Sequence, residues 1–133
     1  MTTFAKKLIL LTFLTLFISC AQKPGIKSGK YIAKDNRIFY EIDFDNQNKS
    51  VKIYIASGIS QKKSNLGNFK IEDNNLILEN VESDILPSTR KKEIYGEILA
   101  DVIIISCPDL SNYFFGQKRG CKSENIEFVY QKP

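Results

Sequence analysis

The stretch Arg37-Ile38-Phe39-Tyr40-Glu41-Ile42-Asp43-Phe44-Asp45-Asn46-Gln47-Asn48-Lys49-Ser50-Val51-Lys52-Ile53-Tyr54-Ile55 decides the fold class. Ile38, Tyr40, Ile42 and Phe44 alternate with Glu41, Asp43 and Asp45, and after the polar residues 45–48 Val51, Ile53 and Ile55 resume the alternation against Lys52. Successive side chains of a strand point to opposite faces, so a period of two buries one face and leaves the other in water. Asp and Asn tolerate the backbone of tight turns, and the two runs together predict an antiparallel hairpin.

The chain beyond residue 28 has the same texture: short stretches rich in Ile, Val, Phe and Tyr, bounded by Asp, Asn, Ser or Gly, with no stretch of helical spacing. Strands are predicted at 29–34, 37–45, 50–58, 66–72, 75–81, 93–99, 101–107 and 124–131. Gly29-Lys30-Tyr31-Ile32-Ala33-Lys34-Asp35-Asn36-Arg37-Ile38 is echoed by Gly67-Asn68-Phe69-Lys70-Ile71-Glu72-Asp73-Asn74-Asn75-Leu76, and more weakly by residues 96–103. Copies this few and unevenly spaced make repeated hairpins, not a solenoid. The expected fold is all-β, a small antiparallel up-and-down barrel of about eight strands, with a β-sandwich as the alternative; closure removes the edges that invite aggregation. The expected inward set, from Ile38 and Tyr40 through Val102 and Ile104 to Phe128 and Tyr130, is bulky enough to fill such a barrel.

At the N-terminus, Lys6 and Lys7 precede the apolar run Leu8-Ile9-Leu10-Leu11-Thr12-Phe13-Leu14-Thr15-Leu16-Phe17-Ile18, closed by Ser19 and Cys20. This is the form of a secretory signal, and the run falls short of the roughly 20 apolar residues of a bilayer-spanning helix. The tetrad Phe17-Ile18-Ser19-Cys20 resembles the lipobox of bacterial lipoproteins, with Phe17 in place of the usual leucine. The resemblance implies a signal peptide over residues 1–19, cleavage before Cys20, lipidation of Cys20 and attachment to a membrane by several acyl chains. The alternative is an ordinary cleaved signal with a cysteine at its boundary. A tether over residues 20–27 and a single domain over residues 28–133 would follow. The lipobox resemblance implies a cell-envelope location; Ala21 and the lack of an acidic cluster after Cys20 resemble lipoproteins on the periplasmic face of the outer membrane. The predicted barrel resembles the small lipocalin-like β-barrel lipoproteins of Gram-negative bacteria, with Gly29-Lys30-Tyr31 standing where lipocalins carry glycine, any residue, tryptophan.

With Cys20 committed to lipid, Cys107 and Cys121 remain as a pair. An oxidising compartment makes them an expected disulfide, closing a loop of about 15 residues and stabilising the fold by roughly 3 kcal/mol. Free thiols or half a metal site are the alternatives, and neither a histidine nor a C-x-x-C spacing is present to support the metal.

The absence of histidine removes the usual general base and the commonest metal ligand. Ser60-Gln61-Lys62-Lys63 and Ser88-Thr89-Arg90-Lys91 both fit Ser-x-x-Lys, but in penicillin-binding enzymes that serine opens a helix in a larger domain, whereas these segments read as polar hairpin tips. Residues 43–48 begin like a calcium loop, yet the glycine is missing and Tyr54 stands where the bidentate glutamate belongs. Asn48-Lys49-Ser50 spells a glycosylation sequon and reads as a turn. No catalytic residue, metal or cofactor is predicted, and the protein is not expected to be an enzyme. Of 19 basic and 15 acidic residues, Lys6 and Lys7 belong to the signal, so the remaining basic surplus is too small to suggest nucleic acid.

Residues 107–121 form the longest candidate loop, and within it Tyr113, Phe114, Phe115, Lys118 and Arg119 are the candidate interaction residues. Exposed, they would make an amphipathic recognition surface. The preferred arrangement folds Tyr113 or Phe115 back as a lid on one barrel end, because small domains seldom leave three aromatics in water.

The expected function is that of a lipid-anchored envelope protein acting through its surface as an interaction, inhibitor or assembly factor, similar in architecture to small disulfide-tied β-barrel lipoproteins that inhibit lysozymes. The alternative is a lipocalin-like carrier of a small apolar ligand. Expected partners are the membrane, through the N-terminal lipid, and an unknown envelope protein or that ligand. A large internal cavity would favour the carrier.

Overall fold

A computed structural model describes residues 25–34, 36–58, 62–85 and 92–133. The signal segment, Cys20, Ser60, Gln61 and residues 86–91, hence the serines of both Ser-x-x-Lys matches, lie outside the described residues. Eight strands, β1 (Gly29–Ala33), β2 (Phe39–Asp45), β3 (Ser50–Ala56), β4 (Lys63–Glu72), β5 (Asn75–Glu79), β6 (Glu93–Leu99), β7 (Val102–Ser106) and β8 (Asn125–Tyr130), pair antiparallel with their sequence neighbours. β8 returns to pair with β1, so the sheet closes into a barrel. Closure distinguishes the barrel from the sandwich.

The quoted hairpin is in the expected register, with Ile42 opposite Ile53 and Phe44 opposite Val51. All four are buried, and Phe44 meets Tyr31 and Phe69 edge-on at centroid separations of 5.5 and 5.0 Å. With Tyr40, Leu76, Leu78, Ile98 and Phe128 they fill the barrel axis with side chains. Outside, Lys30, Asp43 and Lys52 stand in one cross-strand row, and Lys70 pairs with Glu79 at 2.8 Å. The interior is apolar, and the outer face mixes these charges with exposed Phe39, Leu66, Tyr95 and Leu99.

The two glycines of the sequence echo serve different needs. Gly29 has φ +121°, which L side chains rarely adopt, whereas Gly67 faces inward against Val81, where an added Cβ would lie 2.6 Å from Cγ2 and 2.9 Å from Cα. In the second copy the turn is Asp73-Asn74, with Asp73 at φ 54°.

Three expectations need correction. Residues 107–121 are not a loop throughout, because Cys107–Phe115 forms helix α1, so the chain is not free of helix. On β7 the interior residues are Ile103 and Ile105, with Val102 and Ile104 outside. The run Val102-Ile103-Ile104-Ile105 has no alternation of its own; the two-residue turn at Ala100 and Asp101 sets the register, pairing Leu99 with Val102 and Ile98 with Ile103. Glu41 lies on the outer face yet is only 5% exposed, held by Lys62 at 3.1 Å and Lys30 at 3.4 Å.

Alternating strand directions sort the connections between the two barrel ends. One end holds the chain entry and the turns after β2, β4 and β6; the other holds the longer connections after β1, β3, β5 and β7, including α1.

Candidate functional site

Helix α1 closes the second end. Ser106 Oγ accepts the Asp109 N–H at 3.3 Å, Pro108 stands in the first turn, and Gly116 stops the helix at φ 70° by donating its N–H to Asn112 O at 2.9 Å. Cys107, Leu110, Ser111 and Phe114, spaced three or four apart, form its buried stripe together with Tyr113. The helix is fastened to the β5–β6 connection because Tyr113 OH donates to Val81 O at 2.5 Å and Ser83 Oγ donates to Tyr113 O at 2.9 Å.

The segment after the helix is folded back onto it. Buried Ser111 donates its hydroxyl to Gln117 O at 2.8 Å and accepts the Arg119 N–H at 2.7 Å, which fixes the backbone at Arg119. Cys107 and Cys121 form a disulfide with Cα atoms 5.8 Å apart, as expected for residues at the ends of neighbouring strands. Cys107 N–H also donates to Glu124 O at 2.8 Å, so the base of the excursion is tied twice.

Between this cap and the tops of β3 and β4 lies a cleft of about 280 Å³, lined by Ile55, Ser57, Lys63, Asn65, Asp84, Phe114, Phe115 and Arg119. Its walls are apolar at Ile55 and the two phenylalanines. The Arg119 guanidinium sits 5.4 Å from the centre of the Phe115 ring, and Lys63 pairs with Asp84. Among the described residues no carboxylate pairs with Arg119. Asn65, almost wholly buried, donates Nδ2 to Ile53 O at 3.2 Å. On the next strand, opposite Ile55, the fully buried Tyr40 hydroxyl has no hydrogen-bond partner among the described residues. Burial pushes its pKa far up, and the positive charge of Arg119 acts in the opposite direction.

Of the five predicted interaction residues, the structure brings Phe114, Phe115 and Arg119 together at the cleft. Tyr113 is spent on the core, and Lys118 is exposed away from the cleft lining. Phe114 is 7% exposed and Phe115 is half-buried, so the segment folds back as a lid in place of an aromatic display. Sequence reasoning missed Asn65 and Lys63. Asn65 had a signal, being a polar residue two places before Gly67 on the inward parity of β4, opposite Ile53.

The Asp45 side chain closes the β2–β3 turn by accepting the N–H groups of Gln47 at 3.0 Å and Asn48 at 3.2 Å, with Asn48 Nδ2 at 2.7 Å. These bonds, that from the Asn48 side chain foremost, hold its carboxyl below the ordinary value of 3.8. Set beside known proteins, the chain matches no family model, no curated protein and no solved structure.

Proposed function

We propose that this chain is a lipid-anchored cell-envelope protein that acts through its surface as an interaction, inhibitor or assembly factor, with the α1 cleft as its contact site. The observation that carries the reading is the placement of chain entry and cleft at opposite ends of a filled barrel. A lipid on Cys20 would be separated from Gly25 by five residue steps, roughly 17 Å fully extended, so it would hold the entry end at the membrane. The cleft would then face away from the lipid, where an envelope protein can reach it. The carrier reading has less support. The barrel axis, where a carrier would hold its ligand, is occupied by side chains.

The test is crosslinking and capture from detergent-solubilised envelope of the native host, comparing wild type with Arg119→Glu, Phe115→Ala and the outlying control Lys118→Glu. A partner retained by wild type and control but lost from both cleft variants supports the site. Capture indifferent to the cleft variants overturns it. The anchor is tested apart: Cys20→Ala should free the protein from the membrane fraction, and an intact mass without acyl groups would refute lipidation.

A further inference from the structure

The cleft has a charge and a shape that select a ligand chemistry. Lys63 and Asp84 neutralise one another, which leaves the Arg119 guanidinium as the cleft's net charge among the described residues. The Arg119 guanidinium lies 5.4 Å from the centre of the Phe115 ring with no carboxylate partner among the described residues, and a guanidinium offers paired N–H donors matched to a carboxylate. Asn65 spends one Nδ2 hydrogen on Ile53 O and retains a second. Ile55, Phe114 and Phe115 supply an apolar wall beside these donors.

The end of α1 opposes an anion, but only with roughly half a charge spread over its terminal carbonyls. Of these, Asn112 O and Tyr113 O already accept hydrogen bonds from Gly116 and Ser83. A full charge on Arg119 outweighs that residue. At about 280 Å³ the cleft has room for one or two side chains.

We infer that the cleft receives an acidic segment of a partner protein, with a carboxylate on the Arg119 edge and a neighbouring apolar or aromatic side chain against Phe115 and Ile55. This rests on the cleft being the contact site.

The test uses the isotope-labelled, detergent-solubilised full-length protein and three probes: an acetylated peptide with two glutamates flanking a phenylalanine, its counterpart with lysines, and butyrate as a free carboxylate. The acidic peptide should shift the Asn65 side-chain amide resonance. Its affinity should fall about ten-fold or more in Arg119→Glu and, less steeply, in Arg119→Gln, and change less than about two-fold in Lys118→Glu, since rim charges contribute little. No saturable shift with the acidic peptide, equal binding of the lysine peptide, or indifference to Arg119→Glu would overturn the inference. Butyrate binding as tightly as the acidic peptide would overturn the assignment to a protein segment in favour of a small free carboxylate. An envelope partner captured through the cleft while the acidic peptide fails would refute this ligand chemistry and leave the contact site standing; loss of both would refute both.

Discussion

The two ends of the barrel are built differently. At the entry end, β2–β3, β4–β5 and β6–β7 are joined by four, two and two residues (46–49, 73–74 and 100–101), and at the other end the connections run to five, six, thirteen and eighteen (34–38, 57–62, 80–92 and 107–124). The short turns close on their own residues, with Asp45 capping its turn and Lys49, Asp73 and Ala100 at positive φ, while Asn46 reaches across to Ile26 O and Ser28 Oγ to seat the entering chain. Lys27 and Asp101 close the same end with an ion pair at 2.7 Å. The long connections hold one another instead: Tyr113 on α1 donates to Val81 O in the β5–β6 connection, and the disulfide closes the excursion that carries the helix. An end assembled from distant parts can carry a cleft, because its surfaces come from several segments that vary without disturbing the ladder.

That contrast predicts a graded set of responses. The largest belongs to the ladder that both ends share: Ile42→Asp places an unpaired carboxylate in the filled axis and should destabilise by more than about 4 kcal/mol, while Asp43→Asn on the outer face stays within about 0.5 kcal/mol. Urea denaturation decides it, and equal midpoints would mean that the axis is not where the stability resides. Next comes reduction of the disulfide, with an expected loss of roughly 3 kcal/mol from the chain-entropy model. Its sharper signature is local. Hydrogen exchange should quicken at the Arg119 amide, which depends on Ser111, and stay unchanged at Gln47 and Asn48 in the opposite turn. A uniform rise at both ends would erase the distinction drawn between them.

The smallest response lies at Asp45. Because the folded state lowers its pKa, the carboxylate stabilises the turn above the unfolded-state value, and this contribution disappears as pH falls through the folded-state value. The difference in melting temperature between wild type and Asp45→Ala should therefore be present at neutral pH and shrink on acidification below about pH 4. A difference that grows in acid would show that the carboxylate is not the group closing the turn.

The hairpin of residues 37–55 was legible because alternation and turn chemistry are local properties, and each of the predicted strands has its counterpart within a few residues. Helix α1 has local signals too. Ser106, Pro108, Asp109 and Gly116 are start and stop signals, and Cys107, Leu110, Ser111 and Phe114 recur at helical spacing. Its nine residues make only about two and a half turns, too few for a helical period to stand out among the neighbouring aromatics. The cleft was legible only in its aromatic and Arg119 half. Lys63 and Asn65 belong to a different hairpin, and nothing local to them points to residue 119.

By itself the sequence determined the alternation that makes these strands two-faced, the number of strands and the hairpin order, since each follows from side-chain period and turn residues. Tertiary structure alone decided which face of Val102-Ile103-Ile104-Ile105 turned inward, why Glu41 is buried on the outer surface, and that Arg119, Lys63 and Asn65 share a cleft. A continuous aliphatic run carries no face of its own until a neighbouring turn sets its register. A charge is buried or a cleft formed only when closure brings together segments that the chain keeps tens of residues apart.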